Sequence, residues 1–169
     1  MTWNDQFLEL FARCVKRYQN GDKDFTGYYD QEDSALLGSI GYRSREFFDF
    51  VEDYCEEGVP SASTALLVAS VRRDYFQVVM EAQVSEPTVD QESLPPKSAE
   101  LDGFRYLPRI LAKARGKLRG ELDPDVMFSC GGDRKFLREH GDIPPADFLR
   151  RVWAAGDDDS KIVDWLKSL

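Results

Sequence analysis

Apolar residues recur at three- and four-residue spacing in segment after segment of this chain. Several of these segments open on a capping side chain or close at a glycine. That pattern specifies amphipathic helices and leaves little chain for strands. Thr2 caps a predicted helix over residues 3–20, with Trp3, Phe7, Leu8, Phe11, Cys14, Val15 and Tyr18 on one side and Gly21 as the stop. Asp30 caps a short helix to residue 39. A third helix covers residues 45–57 and closes at Gly58. A fourth, residues 62–82, is apolar nearly all round at its start and is expected to be the most buried of the first lobe.

Residues 85–101 carry three prolines, scattered charge and no periodicity, which predicts an extended linker or crossing loop. Beyond it the spacing predicts helices over residues 106–119, 133–140, 145–155 and 159–167. The expectation is therefore an all-α chain of seven to eight helices in two small lobes, residues 1–84 and 102–169.

Hydrophobic residues make up 42% of the 169 positions, enough to build a core. The net charge is −9. An acidic chain repels phosphate backbones, so nucleic-acid binding is disfavoured. No window is long and apolar enough for a membrane span, and the N-terminal residues lack the pattern of a secretory signal. Cys14, Cys55 and Cys130 are odd in number and widely spaced, which suits reduced thiols and predicts a cytoplasmic protein. With one histidine and no CxxC, nothing calls for a cofactor, and no motif fixes the oligomeric state.

Charge is unevenly divided. Residues 1–101 hold nine Lys and Arg against nineteen Asp and Glu, whereas residues 102–169 hold thirteen against twelve. Residues 103–120 contain six cations and no acid. Within them Arg109, Lys113 and Lys117 are spaced by four and form a stripe, with Arg115 nearby, opposite Phe104, Leu107, Leu111, Ala114 and Leu118. Guanidinium and ammonium groups so arranged suit a phosphate or carboxylate. The structural alternative is a solvated stripe, or one that docks on the acidic third helix.

Tyr106-Leu107-Pro108-Arg109, Lys113-Ala114-Arg115, Lys117-Leu118, Gly120, Cys130, Asp133 and the terminal Val163-Asp164-Trp165-Leu166 together carry a family pattern. In these residues the last 70 or so positions resemble the bacterial domain of unknown function 5069 family. The first lobe, with Asp-Phe-Thr-Gly-Tyr-Tyr and Ser-Thr-Ala-Leu-Leu-Val segments, looks like an N-terminal extension some members carry. The resemblance implies no activity. Ala112 stands where the family often has an acid before the Lys-Ala-Arg step, which removes one candidate acid or salt-bridge partner.

Two candidate sites follow. Cys130 lies in a Ser-Cys-Gly-Gly-Asp turn before a helix, where backbone N–H groups favour an anion or a thiolate, so Cys130 and Asp133 are the catalytic candidates. Otherwise Cys130 is a small buried hydrophobe. Asp22, Asp24, Thr26, Asp30 and Asp33 fall at positions 1, 3, 5, 9 and 12 of a twelve-residue window with Gly27 at 6, as in a calcium loop. Against calcium, position 12 is Asp rather than Glu, position 8 is Tyr29, and there is no second hand. The favoured alternative is a plain connection in which Gly21 stops one helix and Asp30 caps the next.

The leading functional expectation is a noncatalytic binding or regulatory module whose two lobes form a groove with one acidic and one basic wall. It would take a protein segment or a small anion. The alternatives are an enzyme of unknown reaction on a phosphorylated or carboxylated metabolite, and two lobes merely locked together.

Overall fold

The capping box at Thr2 sets the start of the first helix: the Thr2 hydroxyl accepts from the Asp5 N–H, and the Asp5 carboxylate accepts from the Thr2 N–H at 2.8 Å. The computed structural model describes residues 1–169 and divides them into two units, Met1–Gln83 and Val84–Leu169. The chain is predominantly α-helical, with eight helices and one two-stranded sheet.

The first unit contains α1 (Trp3–Gln19), α2 (Gln31–Ser39), α3 (Ser44–Glu57) and α4 (Ala62–Val78). Its core is an aromatic seam between α1 and α3. Phe7 meets the edge of Phe47 at 5.1 Å, and Phe11 meets Tyr54 at 5.6 Å. Helix α4 holds more buried residues than any other helix of this unit, as expected. It buries Ala65, Val68, Ala69, Val71 and Phe76 on one side but leaves Leu67 48% exposed. It also ends at Val78 rather than residue 82, because Glu81 and Ala82 take positive φ and turn the chain away.

The second unit begins with the proline-containing segment, which is not a free linker. Val89 donates to the Glu121 carbonyl at 2.7 Å and accepts from Asp123 N–H at 3.0 Å. Leu94 is buried, and Ser85 bonds the Glu121 carboxylate at 2.6 Å. The prolines remove ladder donors, so the segment is strapped on through isolated bonds instead of a sheet. The strap crosses Gly116 closely: a Cβ there would stand 2.5 Å from the Leu122 side chain and 3.7 Å from Val89.

A hairpin follows, β1 (Glu100–Leu101) antiparallel to β2 (Phe104–Arg105), so Phe104 and Arg105 do not open a helix. Asp102 and Gly103 both take positive φ, as a tight two-residue hairpin turn requires. Then come α5 (Leu107–Arg119), α6 (Gly131–Glu139), α7 (Pro145–Ala155) and α8 (Asp159–Ser168). Eight of the thirteen α5 residues are buried, which makes α5 the central helix of this unit. No helix is long and apolar enough to cross a membrane.

In the first unit, burial pushes the Cys14 thiol up from 9.0 to about 12. Burial also raises Tyr28 and Tyr29, and the bond that Tyr18 donates to Glu56 raises Tyr18. In the folded state each group keeps a proton that the unfolded chain has lost. This contribution to stability is therefore complete below about pH 9 and declines as pH rises towards about 12. Hydrogen exchange at the α1 amides is expected to accelerate more than base catalysis explains between about pH 8 and pH 10.5, and less so in Cys14→Ala. Equal slopes in the two proteins would remove Cys14 as a cause.

Candidate functional site

The apolar side of the basic helix is buried as expected, but two of its cations are buried with it. Lys113 and Lys117 point into the unit and are each 4% exposed. They share the buried side of α5 with Ile110, Leu111, Ala114 and Leu118. A long aliphatic stem lets a lysine line a core provided its ammonium meets a partner. Lys113 donates to Asp133 Oδ2 at 2.7 Å, and its Nζ lies 3.1 Å from Cys130 Sγ.

Asp133 is fully buried and fully engaged. Oδ2 also accepts from the Ser129 N–H at 2.8 Å, and Oδ1 accepts from the Tyr106 hydroxyl at 2.8 Å. Desolvation, then the Asp133 charge, raises the Tyr106 phenol well above its ordinary value, so this hydroxyl stays a donor. Two backbone positions are strained to make these bonds. Tyr106 caps α5 at φ 78°, and Ser129 stands at φ 71° before α6. Arg134 holds the second position by donating to the Ser129 carbonyl at 2.7 Å. Gly132 completes the arrangement: a Cβ there would come within 2.9 Å of the Tyr106 hydroxyl.

The other predicted anion-binding residues go elsewhere. Arg109 donates to the Pro95 carbonyl and to Gln91, fixing the strap. Arg115 donates to the Gly156 carbonyl and pairs with Asp159, holding the turn between α7 and α8. The structure thus unites Lys113, Cys130 and Asp133 and disperses Arg109, Arg115 and Lys117. The expected basic wall on α5 does not form, because its cations are used inside their own unit. The α3 acids are likewise met within theirs: Asp49 and Glu52 pair with Arg45, and Glu56 pairs with Lys23.

The predicted calcium ligands do not converge either. Asp22 is taken by Arg17 at 2.6 Å, and Asp24 accepts from Thr26 N–H and Oγ1. Asp30 caps α2, and Asp33 lies 2.6 Å from Arg13. No group of three or more His, Cys, Asp or Glu is placed to hold a metal ion. The oxygens that the window seemed to offer serve caps and arginines.

Beside the buried cluster lies a cavity of about 540 Å³, lined in part by Lys97, Arg105, Tyr106, Gly132, Lys135 and His140. Tyr106 and Gly132 belong to both. Lys97 and Arg105 have no ion-pair partner, and Lys135 has only a loose contact with Glu139 at 3.8 Å. The aromatic wall is ordered: the His140 ring stacks on Phe136 at 4.2 Å. A carbonyl only accepts, so His140 Nδ1 donates to the Phe136 carbonyl at 2.8 Å. The sequence reading missed Lys97, Arg105, Tyr106, Lys135 and His140 as site residues. The Asp-Gly pair at 102–103 was the available signal, since a hairpin there displays Arg105 beside Tyr106.

Residues 92–169 match the model of the family described as Domain of unknown function (DUF5069). The matched stretch contains every residue of the buried cluster and of the cavity beside it. No curated protein matches the chain, and no solved structure does.

Breaking one side of the buried pair leaves an uncompensated charge. Lys113→Met and Asp133→Asn are each expected to cost about 3–5 kcal/mol in urea unfolding. The double variant should lose clearly less than the sum, since neither charge remains. Additive losses would mean that the two side chains do not act as a pair.

Proposed function

We propose that the second unit is a binding module for a small organic anion bearing a phosphate or carboxylate, held in the cavity beside Tyr106. One observation carries this reading: Lys97 and Arg105, cations without ion-pair partners, line the same cavity as the aromatic wall of Tyr106, Phe136 and His140. Elsewhere in this unit, cations are largely consumed. Lys113, Arg115 and Arg119 all have acids within reach. A cavity of this size suits a small metabolite rather than a macromolecule. Arginine supplies a planar fork of donors and the two lysines mobile point charges. The aromatic wall would cover the apolar body of the ligand. Gly103 and Gly132 keep backbone close to it without side chains in the way.

A second reading has its own support. The Tyr106 hydroxyl reaches Asp133 while Tyr106 also lines the cavity, so a polar network runs from the wall into the core. An enzyme acting on the same anion would need such a connection to hold or relay a proton. A module that only binds would not.

Phenyl phosphate is a suitable probe, since it combines a dianion with a ring. Calorimetry and amide NMR are expected to show binding that weakens with added salt and shifts Gly103, Gly132 and His140. The Lys97→Ala/Arg105→Ala double variant should lose about tenfold or more in affinity. Absence of binding by phenyl phosphate and by inorganic phosphate, or affinity unchanged in the double variant, would end the proposal. Release of phenol during the titration would favour the enzyme.

A further inference from the structure

We infer that Cys130 and Lys113 are a paired modification site, in which oxidation of the thiol is followed by covalent closure onto the lysine nitrogen. The inference is independent of the anion reading, because it rests on the buried cluster alone. The lysine Nζ lies 3.1 Å from the cysteine Sγ, inside the near-attack range of two reacting atoms. The amine is held there. Its side chain is 5% exposed, and Asp133 anchors it at 2.7 Å. The sulfur is different, because Cys130 is only half-buried. A small hydroperoxide reaches the sulfur, while the nitrogen stays out of bulk water.

The chemistry balances with hydrogen peroxide as the one oxidant. The sulfur attacks a peroxide oxygen, the S–O bond forms, the O–O bond breaks, and water leaves. The thiol becomes a sulfenic acid and the peroxide is reduced. The Lys113 nitrogen, once it has passed a proton to Asp133, then attacks that sulfur with its freed lone pair. The S–N bond forms, the S–O bond breaks, and the hydroxyl leaves as water with a second proton from nitrogen. The first stays on the Asp133 carboxylate. One thiol, one ammonium, one carboxylate and one peroxide thus give a sulfenamide, a carboxylic acid and two waters.

The surroundings favour this outcome over the usual ones. The other two thiols, Cys14 and Cys55, belong to the first unit, so the second unit has no resolving cysteine of its own. Closure also turns a buried ion pair into two neutral groups, which relieves the desolvation that such a pair carries. Tyr106 and Ser129 N–H keep Asp133 in place throughout. A reducing thiol reverses the link by attacking its sulfur.

The test uses the full chain, treated with a small excess of hydrogen peroxide, digested without reductant and mapped by mass spectrometry. The expected product joins the peptides of Lys113 and Cys130, is lighter by two hydrogen atoms than their sum, and disappears with dithiothreitol. Dimedone should trap Cys130 more in Lys113→Met than in the unaltered protein. Should that variant fail to fold, the peptide map of the unaltered protein decides alone. Several results would overturn the inference: Cys130 found only as free thiol, as its sulfinic acid, in a disulfide, or closed on a neighbouring backbone nitrogen. A bridge that retains one oxygen would also overturn it, since the condensation step would then be wrong.

Discussion

An ion pair buried in the second unit organises what surrounds it. Removing both Lys113 and Asp133 from water is costly, and mutual attraction alone seldom repays it. Here further bonds meet both groups. Asp133 receives the Ser129 N–H and the Tyr106 hydroxyl as well as the ammonium, and Lys113 has Cys130 beside it. To deliver these donors the chain accepts left-handed backbone at Tyr106 and Ser129, where bulky or branched side chains are rarely found. The pair ties α5 to the first turn of α6, and Gly132 is open because the tyrosine hydroxyl needs the space.

The cavity inherits its shape from that arrangement. Tyr106 stands between them, its hydroxyl in the core and its ring on the wall. The hairpin of β1 and β2 then sets Arg105 one residue away from it, and the strap brings Lys97 to the same rim. Lys97 and Arg105, neither with an acid partner, thus share one cavity, whereas the concentrated basic run on α5 is used in internal bonds. Exposed ion pairs contribute little energy. Those of Arg45 and Lys23 in the first unit orient side chains more than they stabilise the fold.

Helix positions were largely legible from spacing and caps. The Thr2 and Asp30 boxes begin α1 and α2 where the residue types predict. Gly58 and Gly120 end α3 and α5 in left-handed geometry. The hairpin was less legible, because two-residue strands carry no periodicity of their own. The strap is legible as an extended linker or crossing loop but its attachment is not, for a related reason: proline removes the repeating pattern, while Val89 bonds Glu121 and Asp123 and Leu94 is buried. Cys130 and Asp133 were visible as a suggestive turn, yet their partner Lys113 looked like one member of a surface stripe.

Residue order by itself determined where helices start and stop, because capping and periodicity act within a few residues. It also determined that the second half would hold a dense basic run. Only the tertiary structure decided which cations face inward. A lysine four residues from another is on the same side of its helix whatever that side meets, and whether it meets water, Asp133 or a sulfur depends on chain some twenty residues away. The same distance dependence scattered the apparent calcium ligands onto arginines and caps, since oxygen spacing along a loop does not fix the direction in which each oxygen points.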